Sequence, residues 1–540
     1  MSRIRLRCGE LIAFDGQRHR LLRNVDLVLR DDRVEAIGGH VQGPFDREID
    51  ASRQLVAPGF VNLHVHSGST VPTRLVTERR YPALFNASYL AFSPRRGARP
   101  IGSWERADAG GLATAIELLK AGCTTVVDLG QGIDPAAMVA IYGQLGLRAY
   151  LAPGFRSGAH VFVAGRLVID WLPDEGRAAL QQAVAFLERY AGSYGGRIQG
   201  MLFPYQGDTC SDQLLRETKT AARALGVRIQ MHAAQSLFEL HEMVRRTGRT
   251  TIQHFAALGF LGPEVILAHC PFITGHPATG LPGDEDLRLL AAHGVTVCHN
   301  PTTLLRRGHL LCSFDRYRAA GVNLALGTDH FPRDMFQEMR LASIMGKVAE
   351  RDPGAADSLA VYHAATIGGA DALGRPDLGR VFPGAKADLI VVDLNRLGAL
   401  PRRDPVQDLV LCGQPSDIQL VIIDGRVVCE RGQVPGIDEE QVAAALQANA
   451  EEIYASVPEW HATGATVEEM APRFLEPMSE YHYTPPAGVA AALGPRCWLN
   501  PHQGAHCCHD VVGIDARRRP ELSGRSRTRQ LADGQARHPG

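Results

Sequence analysis

Between residues 59 and 380 the sequence alternates short apolar, β-favouring runs with stretches of helical periodicity. This alternation is typical of βαβ units and of a parallel sheet. Eight such runs occur in a length that suits one (β/α)8 barrel. The predicted fold class is therefore α/β, with a (β/α)8 TIM barrel over residues 59–379. Its strands are expected to end at or near His66, Asp128, Ala152, Phe203, His232, His269, His299 and Asp329.

The first of these strands carries two histidines, His64 and His66, behind an apolar run that begins at Leu55. Residues two apart in a strand point to the same face, so the two imidazoles can converge on one point. Neutral imidazole suits a borderline metal such as zinc. The alternative is a pair of strand histidines that are hydrogen-bonded to their neighbours. The pair predicts a metal site only if other strands supply further ligands.

The last four predicted strands also end in polar, metal-competent side chains, which are His232, His269, His299 and Asp329. Active sites of such barrels lie at the C-terminal ends of the strands. Five ends of this kind in one barrel favour a functional centre over ordinary strand-end residues.

Both ends of the chain read as β structure outside this region. Residues 1–58 and 380–435 contain short strands with turn signals, and we expect them to form one composite β-sandwich domain. Residues 436–480 are expected to form a helical extension. Residues 481–540 are rich in Pro, Gly and Arg without periodicity and are expected to be disordered. This tail holds a Cys and His cluster that matches no zinc-finger spacing, so no role is assigned to it.

The composition excludes several classes of function. A formal net charge of −1 argues against an electrostatic nucleic-acid binder. Neither a signal peptide nor an apolar run long enough to span a membrane is apparent. The 11 cysteines show no regular pairing, which suits reduced thiols. We expect a cytoplasmic enzyme that forms a homo-oligomer and acts on a small molecule.

Several motifs, in this order, resemble the amidohydrolase superfamily, in the branch of methylthioadenosine/adenosylhomocysteine deaminases, guanine deaminase and s-triazine hydrolases. The resemblance covers roughly residues 1–470. The matching motifs are Pro58–His66, Met231–Ala234, Leu267–His269, His299–Pro301, Leu326–Asp329 and Gly384–Leu389.

The resemblance implies one divalent metal ion held by His64, His66, His232 and Asp329, with zinc as the first choice and iron as the alternative. Three neutral imidazoles and one carboxylate would leave the site with charge +1, which lowers the pKa of bound water. Asp329 would also act as general base. The remaining strand-end residues, His269 and His299, would orient the water or polarise the substrate.

A second metal ion is not expected. Binuclear members of the superfamily bridge two ions through a carbamylated lysine at the end of the fourth strand. The chain contains only Lys120, Lys219, Lys347 and Lys386, and none lies at that strand end.

One position departs from the deaminase branch. The glutamate that follows the strand-five histidine by three residues, and that shuttles a proton to the leaving amine, is Gln235 here. An amide cannot transfer a proton near pH 7, although it can hydrogen-bond a ring nitrogen or a carbonyl. Either another group does this work, with His330 as a candidate, or the leaving group needs less protonation.

These observations predict a metal-dependent hydrolase of non-peptide carbon–nitrogen bonds, with a deaminase of an amino-substituted heterocycle as the first choice. Hydrolytic dehalogenation and ring opening of a cyclic amide are the enzymatic alternatives, because both relieve the requirement for protonation. A non-catalytic scaffold is the alternative from another class. The long stretch 67–103 is expected to shape the substrate pocket.

Other histidines and arginines are interpreted as structural or solvated, namely His241, His254, His276, His309, Arg156, Arg306 and Arg307.

Overall fold

A computed structural model of the chain describes residues 2–74, 95, 105–130, 132–164, 166–473 and 475. The predicted tail and most of the stretch 67–103 lie outside the described residues. Within the described ranges, no helix combines the length and the apolar character needed to cross a membrane. The described chain is a mixed α/β structure.

Nineteen strands are described, numbered β1–β19 along the chain. Their bounds are Arg3–Phe14, His19–Arg30, Arg33–Gly38, Arg47–Pro58, Phe60–Val65, Cys123–Asp128, Arg148–Leu151, Gly154–Phe155, Gly158–Val163, Arg166–Trp171, Ile198–Gly200, Phe203–Pro204, Ile229–Ala233, Val265–His269, Thr296–His299, Asn323–Leu326, Leu389–Val392, Ile418–Ile423 and Arg426–Glu430.

Seventeen α-helices are described, numbered α1–α17. Their bounds are Thr70–Arg74, Leu112–Lys120, Pro135–Leu145, Arg177–Tyr190, Ser193–Gly196, Asp212–Leu225, Leu237–Thr247, Thr251–Ala257, Glu285–Ala292, Pro301–Arg306, Phe314–Ala319, Met335–Glu350, Ser358–Ala365, Ile367–Ala372, Pro405–Leu411, Glu439–Trp460 and Val467–Met470. Short π and 3-10 segments occur at Ala107–Gly111, Gly207–Thr209, Pro277–Thr279, Leu397–Ala399 and Pro415–Asp417.

Strands from both ends of the chain share one sheet, in the order β19-β18-β17-β4-β1-β2-β3. The junction is the antiparallel pairing of β17 with β4, in which Leu389 faces Pro58 and Val392 faces Leu55. One side buries a cluster that includes Leu6 and Ile422. Both chain ends therefore contribute strands to the same sheet. The pairing itself forms one continuous seven-stranded sheet.

The region between these ends holds two parallel four-stranded sheets, β11-β7-β6-β5 and β13-β14-β15-β16. Isolated parallel bridges link their margins. Val65 at the end of β5 pairs with Asp329 beyond β16, and Leu202 pairs with Ile229 at the start of β13. Strands β5, β6, β13 and β14 are buried along their whole length, as expected for parallel strands covered on both faces.

Side-chain caps fix the starts of helices that follow the strand ends. The Ser236 side chain accepts a hydrogen bond from Glu239 N and starts α7 three residues after β13. Asp334 accepts from the backbone N–H groups of Phe336 and Gln337 and starts α12. Short strand-to-helix connections of this kind hold the strand-end side chains on well-anchored backbone.

The predicted elements differ from the structure mainly in their breaks. The fourth predicted strand, Ile198–Phe203, is divided into β11 and β12. Helices α13 and α14 are separated at Thr366, whose φ/ψ is not helical. The β9–β10 hairpin was not predicted.

Candidate metal centre

The side chains of His64, His66, His232 and Asp329 meet at the carboxyl ends of the strands. The backbone of the first strand is fastened to the last: Asp329 N donates to His64 O at 2.8 Å, and His66 N donates to Asp329 O at 2.9 Å. Asp329 Oδ1 lies 3.4 Å from His64 Nε2 and 3.3 Å from His66 Nε2. All four residues are buried.

The hydrogen bonds of His66 and His232 fix which ring nitrogen carries the proton. His66 Nδ1 lies 2.9 Å from Leu129 O, and His232 Nδ1 lies 2.8 Å from Tyr205 O. A carbonyl oxygen only accepts, so in both neutral rings Nδ1 is the donor and Nε2 keeps its lone pair. The two Nε2 atoms are 3.2 Å apart. Two facing lone pairs at this distance repel unless a cation lies between them.

His64 is held in the same tautomer by a side chain. Its Nδ1 lies 3.0 Å from Gln230 Oε1, and Gln230 Nε2 donates to Leu63 O at 2.8 Å, which identifies Oε1 as the acceptor. His64 Nε2 therefore also carries a lone pair. Among the described residues, His64 Nε2 and Asp329 Oδ1 are buried without a hydrogen-bond partner. Three imidazole nitrogens and one carboxylate oxygen thus form a donor set that fits a divalent cation.

The electrostatics keep these ligand atoms available. Burial, followed by the repulsion of neighbouring imidazoles, lowers the pKa of His66 and of His232 well below the usual range of histidine. Burial raises the pKa of Asp329, but the surrounding imidazoles outweigh it and hold that pKa well below its usual range. Neutral imidazoles and an ionised carboxylate are the protonation states that bind metal.

The His269 side chain points to the same centre because the backbone of this residue departs from regular strand geometry. In the register of β13 with β14, His232 pairs with Ala268 and Ala233 pairs with His269. Paired residues share a face, so regular alternation would send His269 away from His232. A left-handed φ of 77° at His269 turns the side chain back. Its ring stacks on His232 at 5.4 Å, and its Nε2 lies 3.8 Å from Asp329 Oδ2.

The tautomer of His269 is the opposite of the other three. Asn300 Nδ2 lies 3.2 Å from His269 Nδ1 and 3.4 Å from Cys298 O, while Asn300 Oδ1 accepts from Cys298 Sγ. The amide nitrogen therefore donates to Nδ1, and the proton of His269 is on Nε2. His64, His232 and His269 also lie close enough together to be alternative ligands. The tautomers distinguish them, because His269 presents an N–H donor to the centre.

His299 is not brought into this cluster. It pairs with Leu326 and keeps the regular alternation, so its ring lies on the helix-packed side, 6.4 Å from the Phe314 ring. It lines a separate cleft together with Leu304 and Met345. Burial lowers the pKa of His299 to about 3. The next residue in the chain, Asn300, contacts the cluster in its place.

Gln235 lies beyond β13 in a network of side chains. Its backbone N–H donates to Glu239 Oε2 at 3.0 Å, and the N–H of Ala234, which has a φ of 47°, donates to Glu239 Oε1. The Gln235 side chain donates from Nε2 to Gln206 Oε1 at 2.6 Å. Burial, followed by repulsion from Asp208, raises the pKa of Glu239 to about 8.

His330 follows Asp329 into the same centre. Its Nε2 lies 3.3 Å from Asp329 Oδ1, and its Nδ1 lies 3.0 Å from Ser69 Oγ. The ring stacks on His66 at 5.2 Å. Asp329 adopts a left-handed φ of 59°, which lets two successive side chains reach one centre. Burial lowers the pKa of His330 to about 4.

Two residues of the site, Gln230 and Asn300, were missed in the sequence. Gln230 lies two residues before His232, so period-two alternation placed it on the ligand face. Asn300 directly follows a strand end. In both cases the signal was a buried carboxamide beside a histidine, which calls for a hydrogen-bond partner.

Most histidines and arginines interpreted as structural lie in helices or loops with partners of their own. His254 Nε2 lies 2.8 Å from Asp212 Oδ1, and the guanidinium of Arg306 stacks on Phe331 at 4.1 Å. At the fourth strand end, β12 carries no lysine, and Lys219 instead donates to Phe260 O.

Solved structures share this architecture over most of the chain. An adenosine deaminase from Xanthomonas campestris with bound zinc superposes with a TM-score of 0.69 at 22% identity, covering 84% of this chain and 98% of that one. An atrazine chlorohydrolase from Arthrobacter aurescens in complex with zinc gives 0.70 at 21% identity, covering 83% and 100%.

Curated relatives are similar along nearly their whole length. A 5'-deoxyadenosine deaminase of Methanosarcina mazei is 29% identical over 435 residues, which is 80% of this chain and 94% of that protein. A 5-methylthioadenosine/S-adenosylhomocysteine deaminase of Pelotomaculum thermopropionicum is 28% identical over 461 residues, with coverages of 83% and 98%.

The family comparison spans the site and both flanking parts of the sheet. The model of the "Amidohydrolase family" matches residues 55–428, a range that contains all four convergent ligand-type residues together with Gln235 and His269. The chain therefore belongs to the amidohydrolase family of hydrolases.

Proposed function

We propose that this protein is a zinc-dependent deaminase of an adenosine derivative or of a similar amino-substituted heterocycle. The observation that carries the proposal is the convergence of three imidazole lone pairs and one ionised carboxylate on one buried point. The names of the curated relatives support the reaction class, because they are deaminases of 5'-deoxyadenosine and related nucleosides.

The residues that would hold one metal ion are His64, His66, His232 and Asp329. When bound there, the ion would act as a Lewis acid and lower the pKa of water toward about 7. Zinc is the first choice because two structural neighbours carry it. Iron is the alternative, since imidazole and carboxylate accept both metals.

The remaining work falls to the protein's own groups. Asp329, ionised at neutral pH, would accept the proton of the attacking water through the carboxylate. His269 would donate its Nε2 proton in a hydrogen bond to the negative charge that develops on the substrate, and Asn300 keeps the proton on that nitrogen. Burial excludes bulk water, which strengthens both interactions.

Gln235 supports a second candidate function. Because its carboxamide cannot give a proton to a departing amine, a leaving group that needs no proton would suit the site equally well. Displacement of chloride from a ring and opening of a cyclic amide both meet that condition. For deamination, His330 is the candidate substitute, with its Nε2 3.3 Å from Asp329 Oδ1.

We further propose that the eight parallel strands close into a (β/α)8 barrel over residues 59–379. The Val65–Asp329 and Leu202–Ile229 bridges, which join the margins of the two sheets, support closure. Residues 1–58 and 380–435 would form the β-sandwich domain, and residues 436–480 the helical extension. Cytoplasmic location, homo-oligomerisation and the absence of nucleic-acid binding stay predictions.

The test is a substrate screen of the zinc-loaded full chain that reads ammonia and chloride separately. The panel contains 5'-deoxyadenosine, 5-methylthioadenosine, S-adenosylhomocysteine, pterins, chloro-s-triazines and cyclic amides. Ammonia release from a nucleoside that disappears in His64→Ala is the expected result. Chloride release or ring opening alone would replace the first function by the second.

A Gln235→Glu variant separates the two functions further. A large gain in ammonia release would indicate that the chain had lost a deaminase glutamate, whereas loss of activity would indicate that the amide itself binds the substrate. A scaffold role would be supported by a native protein that binds no zinc and turns over no member of the panel.

A further inference from the structure

The strand end beside His232 carries a pair of carboxamides, Gln206 and Gln235, that are joined to each other. Gln206 forms a parallel bridge with His232, and the residue before it, Tyr205, supplies the carbonyl that orients that histidine. Residues in register on neighbouring parallel strands point to the same face. The Gln206 side chain is therefore directed to the face that holds the metal ligands.

Gln235 meets this side chain from the other strand. Its backbone is fixed by the buried carboxylate of Glu239, which in turn accepts from Thr251 Oγ1 at 2.9 Å. The side-chain amides join through a 2.6 Å hydrogen bond from Gln235 Nε2 to Gln206 Oε1. Their relative position is set by backbone on both sides, so the pair is pre-organised.

The pair retains hydrogen-bonding groups without a partner among the described residues. Gln206 is 2% exposed, and its Nε2 has no hydrogen-bond partner among the residues that the structure describes. Within the same ranges no hydrogen bond reaches Gln235 Oε1. A single N–H···O bond between two carboxamides leaves the amide nitrogen of one residue and the amide oxygen of the other outside that bond, whichever way the amides are turned. A buried N–H group without a partner is costly unless a ligand completes it.

We propose that Gln206 and Gln235 form a specificity clamp for a neutral ring edge that offers one acceptor and one donor side by side. A cyclic amide offers its C=O and N–H, and an amino-substituted ring offers its ring nitrogen and exocyclic N–H. A glutamate at position 235 would add a negative charge and remove the neutral pairing. The clamp rests on the proposed function in one respect, that the substrate occupies this face.

The experiment measures binding to the zinc-loaded full chain rather than turnover. The probes are 2-pyridone, which carries both groups, and N-methyl-2-pyridone, which lacks the donor. We expect the wild type to bind 2-pyridone about tenfold more tightly, a typical effect of one buried hydrogen bond. Gln206→Leu and Gln235→Met should each abolish that preference. Gln213→Leu, which removes an exposed amide on α6, should retain it.

A ligand-binding role and a purely structural role for the pair predict opposite effects of Gln206→Leu on the melting temperature. Gln206→Leu should leave the melting temperature equal or higher, because it removes an unpaired buried amide, whereas a purely structural bond would lower it. Equal binding of the two probes, no binding of 2-pyridone, or an unchanged preference in both variants would overturn the clamp. Because no hydrolysis is measured, the preference can persist even if the deaminase proposal fails.

Discussion

His269 and His299 end neighbouring strands of one parallel sheet, and both follow a buried β-favouring run. Their side chains nevertheless lie on opposite sides. His269 has a φ of 77° and turns toward Asp329, whereas His299 keeps strand alternation and packs near Phe314. The difference arises from the φ of His269. A left-handed φ costs about 1–2 kcal/mol in a residue other than glycine, and such strained residues cluster at functional sites.

The comparison shows how the sheet assigns roles to identical side chains. Turned inward, His269 meets Asn300, which fixes the proton on Nε2 and makes the ring a donor. His299 Nδ1 has no hydrogen-bond partner among the described residues, and burial lowers the pKa of His299 to about 3, so it remains neutral. The inward histidine presents an N–H donor to the cluster, whereas the outward one packs near Phe314.

The largest expected effect separates the two histidines directly. His269→Ala should lower the rate of hydrolysis by about 10²–10³-fold, because it removes a donor to developing charge. The rate at saturating substrate is the measurement, with metal content as the control. A variant that retains more than about a third of the wild-type rate would contradict the inward role.

The next test concerns the residue that fixes the tautomer. Asn300→Leu should lower the rate by about 10–100-fold, as expected for the loss of an orienting partner. Asn300→Asp should be more damaging, since a carboxylate would accept from Nδ1–H and leave a lone pair on Nε2. If Asn300→Asp were as active as the wild type, the assigned tautomer of His269 would be wrong.

His299→Phe should change the rate by no more than about twofold, since the ring lies off the cluster and substitution acts only through packing. Steady-state kinetics and the melting temperature check this expectation. A rate loss comparable to that of His269→Ala, in a variant that still folds, would restore His299 to the catalytic role predicted from the sequence.

The smallest effect concerns the pH dependence of stability at Glu338, a buried residue on α12. Glu338 accepts a hydrogen bond from Thr302 N on α10, and burial raises its pKa to about 8. In the unfolded chain the pKa of a glutamate is about 4.3. Between about pH 4.3 and about pH 8, therefore, the unfolded chain binds fewer protons at this residue than the folded protein does, and the wild type loses stability as the pH rises. Glu338→Gln should lack this loss.

The melting temperature of Glu338→Gln, relative to the wild type, should therefore increase from pH 5 to pH 8. Over this pH range, the free energy of unfolding of Glu338→Gln should rise relative to that of the wild type by an amount on the order of a few kcal/mol. Glu451→Gln, an exposed position on α16, controls for removal of a carboxylate. A relative melting temperature that is independent of pH would show that Glu338 is ionised in the folded protein.

The sequence predicted the strand ends more reliably than the directions of their side chains. Period-two spacing was enough for His64 and His66, because both lie on one regular strand. A single sequence does not indicate that His269 and Asp329 adopt a left-handed φ, because even the non-glycine residue types that are enriched there, His and Asp among them, adopt it in only a minority of cases. The partners Gln230 and Asn300 were missed for a related reason: their importance depends on pairing between strands that are far apart in the chain.

The central claim is that the tautomers divide the histidines of the cluster into metal ligands and one N–H donor, His269. Metal analysis of four purified proteins tests this claim most directly. After zinc loading and dialysis, the wild type, His269→Ala and His299→Ala should each hold about one zinc ion per chain, and His232→Ala should hold almost none. Loss of zinc from His269→Ala to the level of His232→Ala, or a wild type that binds no zinc, would contradict the account.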